Sequence, residues 1–325
     1  MTSCWTLTTG EIGMRHQAEG LAKRLGLAFV PRLVQPRRGF DVLPPALAAR
    51  LGGWATLDGK VAEPPWPDVA ISCGRRSIPM CLALKHLSGG ITNVIHVQNT
   101  KGLTPRFDAV VVPEHDGLQG RNVLPTLGAV HHLTLQDLEA ARPVWASRWG
   151  ALPKPWIAVL VGGASPHNAF TVEDALRLGI ALGKMQERLK GSVLITTSRR
   201  TGLNQAAALR QALTGTNIWV WDNHGDNPYV GLLACSDIIV STADSISMCS
   251  EAALSGTPLL LWDMGIKKPR QRHFYQSFVD RGIARWFTPD VMPGERYPPL
   301  DETGRVAKLL SSSGLLSKMG GTKNG

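Results

Sequence analysis

The chain has 325 residues, 43% hydrophobic and 18% charged, with a formal net charge of +10, which suits a soluble protein of two ordinary domains better than a single core. No run approaches the roughly eighteen uninterrupted apolar residues that cross a bilayer, and MTSCWTLTTGEIG has neither a basic nor an apolar leader region, so a cytoplasmic protein is predicted. Cys4, Cys73, Cys81, Cys235 and Cys249 form no CxxC pair and imply neither zinc nor disulfides, while basic pairs without zinc-finger or RNP-like spacing speak for a phosphorylated substrate or an anionic membrane surface and against nucleic acid.

In chain order, Cys4–Leu7 reads as a short strand followed by the glycine loop TTGEIG and an amphipathic helix, the opening of a Rossmann-like domain that lacks GxGxxG. A second strand is predicted over 27–34, a helix over 45–51 and a loop over 52–67. VAISC is a third strand, ending at Gly74-Arg75-Arg76 before a helix to Leu87. NVIHVQN and FDAVVVP read as parallel strands, since a sheet covered on both faces needs continuous apolar runs alternating with helices. FDAVVVP leads into Glu114-His115-Asp116 at the carboxyl end of its strand, where open α/β sheets place ligands. A strand in NVLPTLGA, then His131-His132, precede a helix over 135–149.

The Pro-containing join 150–155 reads as a linker, giving domains over 1–150 and 151–310 and a disordered Ser/Gly-rich tail over 311–325. Past the join the pattern restarts: strand WIAVLV, a glycine turn with Gly162, Gly163 and Ser165, a helix over 172–189, a strand ending at Ser198-Arg199-Arg200, a helix over 203–213 and the strand NIWVW. The stretch from Asn227 to Pro258 then gives a helix, an apolar strand, a polar turn and a second helix carrying Glu251. Free N–H groups at that helix start, with the hydroxyls of Ser245 and Ser247, form an anion site, and Glu251 one to two turns on can accept from ribose hydroxyls. The same spacing equally suits a plain N-cap at Asp244 or Ser245 and a solvated Glu251. LLLW, a helix over 270–281 and the helix DETGRVAKLL complete the chain.

LTTGEIGMRHQAEGLAKRLGL, ISCGRRSIP, FDAVVVPEHD, NVLPTLGAVHHLT, VLVGGAS, ITTSRRT, the 227–258 stretch and YPPLDET together resemble the plant "elongated mitochondria" fission-protein family and its bacterial relatives over nearly the whole chain. More distantly, the glycine loop, the GGAS turn and SMCSEAALSGTP resemble two-Rossmann-domain (GT-B) glycosyltransferases, especially the lipid-linked enzyme that adds N-acetylglucosamine in peptidoglycan synthesis. That resemblance implies a nucleotide-sugar held by the second domain, with Glu251 on the ribose, Asp244, Ser245 and Ser247 at the diphosphate, and Gly162, Gly163 and Ser165 lining the cleft. It implies an acceptor and a base on the first domain. Asp244-Ser245 stand where those enzymes usually have a glycine-containing turn.

Inverting sugar transfer needs a base for the acceptor hydroxyl and cations or N–H groups for the leaving phosphate. Glu114, His115, Asp116, Glu11 and His16 compete for the first role; each would equally serve as a cap or surface group. Ser198, Arg199 and Arg200 suit the leaving phosphate, and Gly10, Gly13, Arg75 and Arg76 an acceptor phosphate; the alternative is exposed loop pairs that serve solubility. There is no DxD motif, so neither metal nor cofactor is expected, and Asp222–Asp226 reads as a polar turn. Trp221 and Trp262 are candidates to flank a nucleobase, and the basic, aromatic segment 262–278 to touch an anionic bilayer. The expectation is therefore α/β, two Rossmann-like domains with parallel sheets facing a cleft. The function expected is a glycosyltransferase-like protein, cytoplasmic or peripheral on the inner membrane face, passing sugar from a nucleotide-sugar to a lipid-linked or envelope saccharide. The alternative is a non-catalytic fission or envelope interaction protein; an epimerase is disfavoured by the absence of GxGxxG and YxxxK.

Overall fold

The computed structural model describes residues 2–36, 43, 47, 55–164, 169–213 and 217–316. It divides into two units, Met1–His132 with Asp301–Gly325, and Leu133–Leu300.

The first unit holds β1 (Ser3–Thr8), β2 (Ala28–Pro36), β3 (Ala55–Leu57), β4 (Val69–Cys73), β5 (Asn93–Val97), β6 (Ala109–Pro113) and β7 (Val123–Thr126) in the order β3-β2-β1-β4-β5-β6-β7. All neighbours are parallel except β3, which pairs antiparallel at the β2 edge. β4 is buried at every residue, the signature of a central strand covered on both faces. Helix α1 (Ile12–Arg24) buries Ala18, Leu21 and Ala22 against one face, and α2 (Ile78–Leu87) packs Ile78, Cys81 and Leu84 on the other.

The second unit is a six-stranded parallel sheet. Its strands are β8 (Trp156–Val161), β9 (Ser192–Thr197), β10 (Ile218–Val220), β11 (Ile238–Thr242), β12 (Leu259–Trp262) and β13 (Ala284–Trp286), in the order β10-β9-β8-β11-β12-β13. Its helices are α3 (Leu135–Trp149), α4 (Val172–Leu189), α5 (Leu203–Ala212), α6 (Tyr229–Cys235), α7 (Ile246–Ala253) and α8 (Pro269–Asp280). The chain reverses direction across this sheet between β8 and β11, the switch point at which doubly wound sheets bind ligands. A capping box starts α4: Thr171 Oγ1 accepts from the Asp174 N–H at 3.1 Å, and the Asp174 carboxylate accepts from the Thr171 N–H at 2.9 Å.

The last helix, α9 (Glu302–Ser312), belongs to the first unit, not to the second as the 150/151 division has it. Val306, Ala307 and Leu310 join the core of Ala18 and Leu21. Thr303 Oγ1 accepts from the His131 N–H at 2.9 Å and donates to the His131 carbonyl at 3.0 Å, and the buried Glu302 accepts from the Leu127 N–H at 2.8 Å. The first stretch of the first unit stops at His132, so α3 lies in the second unit. β3 falls in the piece read as a loop, and β13 was not expected. Of the helix expected over 45–51 only Leu47 lies among the described residues; of the expected tail, 311 and 312 close α9 and 317–325 lie outside them.

Candidate functional site

The carboxyl ends of β8, β9 and β10 and the starts of α6 and α7 enclose a cleft of about 470 Å³ in the second unit, lined by Val161, the run Thr196–Arg199, Trp221, Asn223, Asn227, Tyr229 and Met248. One wall is a tight turn after β9. The Ser198 N–H donates to Thr201 Oγ1 at 2.9 Å, the Ser198 hydroxyl donates to the Gly162 carbonyl at 2.8 Å, and the Arg200 N–H donates to Ser198 Oγ at 3.2 Å. This leaves the Arg199 side chain exposed on the cleft wall. The Trp221 indole N–H donates to the His224 carbonyl at 2.9 Å, which fixes its ring, and Asp222 accepts from the His224 N–H at 3.0 Å in the expected polar turn. Trp262 is not among the cleft residues; it packs against Phe287, ring centroids 5.8 Å apart.

Glu251 lies on α7 against Tyr229. It is 8% exposed, and its carboxylate accepts from the Tyr229 hydroxyl at 2.6 Å. Burial pushes the Glu251 carboxyl up to about 7, partly offset by that hydrogen bond. Burial, then the neighbouring carboxylate, pushes the Tyr229 phenol well above its ordinary range. Glu251 is therefore not the solvated helix residue its spacing allowed. Ser245 is the N-cap of α7, its hydroxyl accepting from the Met248 N–H at 3.3 Å, and Ser247 is half-buried in the first turn.

The glycine turn is built differently from the expectation. The Gly162 N–H donates to Thr242 Oγ1 at 2.8 Å and the Gly163 N–H to the Asp244 carboxylate at 3.2 Å. Asp244, its side chain 0% exposed, also accepts from Arg200 at 2.9 Å and from the Thr242 hydroxyl at 2.6 Å. A Cβ on Gly162 would lie 2.0 Å from Asp244 Oδ1, and one on Gly163 would lie 2.1 Å from the Arg200 carbonyl. The two glycines thus let the backbone close on a carboxylate of the protein itself, and Asp244 serves as that carboxylate. Ser165 lies outside the described residues.

In the first unit the remaining candidates gather at the carboxyl ends of its strands. Gly10 has φ +96° in the loop after β1, and Gly13 sits in the first turn of α1 with open space around it. Glu11 is the exposed residue before α1, and its carboxylate accepts from the Thr9 hydroxyl at 2.5 Å. One turn on, the His16 ring lies 3.9 Å from that of His132, and burial holds its imidazole below the ordinary 6.5, helped by Arg15 and opposed by Glu19. Arg75 and Arg76 form a short turn after β4, Arg75 donating to the Leu43 carbonyl at 3.2 Å. Glu114 is exposed, while the buried side chains of His115 and Asp116 face each other, Nε2 to Oδ1 3.5 Å. Tyr229, Asn227, Met248 and His132 were not singled out by sequence. The Asn-Pro-Tyr start of α6, an aromatic at a helix N-terminus beside strand ends, was the signal for the first of them. Of the aromatics in 262–278, Phe274, Tyr275 and Phe278 are buried core residues, and no helix among the described residues is long and apolar enough to cross a membrane.

A family model described as Mitochondrial fission ELM1 matches residues 12–313. "Mitochondrial fission protein ELM1" of Arabidopsis thaliana is 29% identical over 288 residues, spanning 80% of this chain and 67% of that protein. Among solved structures, the UDP-GlcNAc 2-epimerase of Methanocaldococcus jannaschii is 13% identical with a TM-score of 0.57, covering 96% of this chain and 100% of that one. MurG of Acinetobacter baumannii is 15% identical with a TM-score of 0.55, covering 96% and 100%. These likenesses show a GT-B-like fold of two Rossmann-like units.

Proposed function

The chain belongs to the mitochondrial fission ELM1 family, and we propose that its second unit binds a nucleotide-sugar and that the protein transfers the sugar to a lipid-linked or envelope saccharide. The observation that carries this reading is the cleft itself: an indole, an arginine and a tyrosine backed by a buried carboxylate, all at the carboxyl ends of a doubly wound sheet. Trp221 offers a face for the base. The Tyr229 oxygen and the Glu251 carboxylate offer acceptors for ribose hydroxyls, and Arg199 offers a cation to the phosphate.

In such a transfer the acceptor oxygen forms the new glycosidic bond as the bond from the anomeric carbon to phosphate oxygen breaks. The nucleotide leaves with the electron pair, and Arg199, with no metal, takes up the charge. The acceptor proton goes to a base drawn from Glu11, His16 or the Glu114–Asp116 turn of the first unit. The likeness to enzymes named for UDP-GlcNAc supports the donor class. Thermal-shift measurements with UDP, GDP, CMP and their sugars are expected to raise the melting temperature for one of them, and Glu251→Ala to abolish the shift. The absence of any shift would favour the second reading, a scaffold that acts in fission or at the envelope through partners, which the name of the Arabidopsis relative supports.

A further inference from the structure

We infer that Arg200, held in place by Asp244, is a second phosphate-binding cation beside the cleft, and that the two phosphates of a nucleoside diphosphate-sugar divide between Arg199 and Arg200. This rests on the nucleotide-sugar reading of the cleft and adds the residue that meets the second phosphate.

Arg200 follows β9 and Asp244 follows β11, and β8 lies between those two strands in the sheet. Their ion pair, Nη2 to Oδ2 at 2.9 Å, therefore bridges the carboxyl end of β8 at the Gly162-Gly163 turn, where the sheet reverses direction. The bridge requires both glycines: a Cβ on Gly162 would strike the Asp244 carboxylate, and one on Gly163 the Arg200 carbonyl. The main chain of Arg200 is fixed as well, its carbonyl accepting from the Ala164 N–H and its N–H donating to Ser198 Oγ, each at 3.2 Å. Asp244 is held from the other side, its carbonyl accepting from Gln271 Nε2 at 3.2 Å. The carboxylate is enclosed, with its side chain 0% exposed, while the Arg200 side chain is 46% exposed. Of the pair, the guanidinium is what a ligand meets.

One guanidinium nitrogen is engaged with Asp244, and a planar fork has further donors on its other edge. Asp244 directly precedes Ser245, the N-cap of α7, so the guanidinium stands beside the start of that helix. The Ser245 hydroxyl accepts from the Met248 N–H, while the N–H groups of Ile246 and Ser247 meet no acceptor among the described residues. A guanidinium edge next to N–H groups at a helix start suits one phosphate. Arg199, the preceding residue, lines the cleft beside Trp221 and Tyr229. Consecutive arginines thus give a diphosphate one cation for each of its charges.

Isothermal titration of the full chain with matched 5′-monophosphates and 5′-diphosphates (CMP against CDP, UMP against UDP, GMP against GDP) tests this. For the base that binds, the diphosphate is expected to bind roughly tenfold or more tightly than the monophosphate. Arg200→Ala combined with Asp244→Asn leaves the net charge unchanged, strands no buried carboxylate and keeps an acceptor for Thr242. That double variant is expected to lose the preference for the diphosphate and to hold the monophosphate within about threefold of wild type. If it does not fold, Arg200→Lys, which keeps a cation for Asp244 but not the fork, is expected to weaken the preference and decides in its place. A wild type without the preference, a variant that keeps it in full, or a variant that loses both nucleotides equally overturns the role of Arg200 and leaves the nucleotide reading standing. Failure of every nucleotide to bind overturns both.

Discussion

Replacing Glu251 by Gln should stabilise the protein at alkaline pH while weakening its ligand. The carboxyl is 8% exposed, and burial holds its pKa at about 7 against an ordinary 4.5. A group whose pKa is raised by folding contributes stability that is fully present below its unfolded value and is lost as pH rises through the folded one, here between 4.5 and about 7. At 1.36 kcal/mol per pH unit, the ionised side chain costs the folded state about 3 kcal/mol above pH 7. Glutamine keeps an oxygen for the Tyr229 hydroxyl, 2.6 Å away in the wild type, and carries no charge to desolvate. Wild type and Glu251→Gln should therefore melt together near pH 4, below the unfolded value of 4.5. By pH 8.5 the variant should lead by roughly 6–12 °C, taking about 2–4 °C per kcal/mol for a unit of this size. The same variant should bind nucleotide about tenfold or more weakly, because a hydrogen bond to a charged acceptor contributes about 1.5–3 kcal/mol. Calorimetric melting between pH 4 and pH 8.5, with nucleotide titration alongside, measures both. A difference in melting temperature that stays flat with pH, or a variant less stable than wild type at pH 8.5, would refute the assignment of Glu251 as a buried, destabilising carboxylate.

Three further outcomes are expected. Arg199→Ala should lower nucleotide affinity by roughly 10- to 100-fold and, because the side chain is exposed, move the unfolding midpoint by no more than about 0.5 kcal/mol; equal losses in both would mean that Arg199 is structural. Within α4, Gly183→Ala meets open space and should gain about 0.5–1 kcal/mol in denaturant titration. Gly179→Ala should lose about 1–3 kcal/mol, since its Cβ would lie 2.6 Å from that of Ala212. Truncation after Leu300 removes Val306 and Leu310 from the first unit's core and the Thr303 and Glu302 bonds to His131 and Leu127. At about 1.5–3 kcal/mol per buried side chain and about 1 kcal/mol per hydrogen bond, the loss rivals the stability of a domain, so limited proteolysis should digest the first unit and spare the second.

Most of the fold was legible because both sheets are covered on two faces, so that VAISC and WIAVLV are apolar at nearly every position and need no alternation to be found. β3 and β13 have three residues each, at sheet edges, and one carries Arg285; so short a piece has no pattern to read. The allegiance of α9 was hidden for a different reason. Its stripe of Val306, Ala307 and Leu310 says that the helix packs, but what decides where are Thr303 and Glu302 reaching the backbone of residues 131 and 127, far away in sequence. Glu251 was found by spacing, while its burial depended on Tyr229, whose hydroxyl supplies the hydrogen bond that lets a carboxylate lie behind the cleft.

The glycine turn shows where pattern and chemistry part. A strand ending in Gly162-Gly163, a second strand ending before a serine-capped helix and an arginine pair between them are what a phosphate site needs, and they are also what a buried carboxylate needs. Both anions ask for N–H groups, a hydroxyl and a guanidinium, and both ask for glycine so that backbone can approach. The residue that separates the cases is the one at the turn: a glycine there leaves the donors to a ligand, whereas Asp244 fills them from within, with Arg200 and the Gly163 N–H around it.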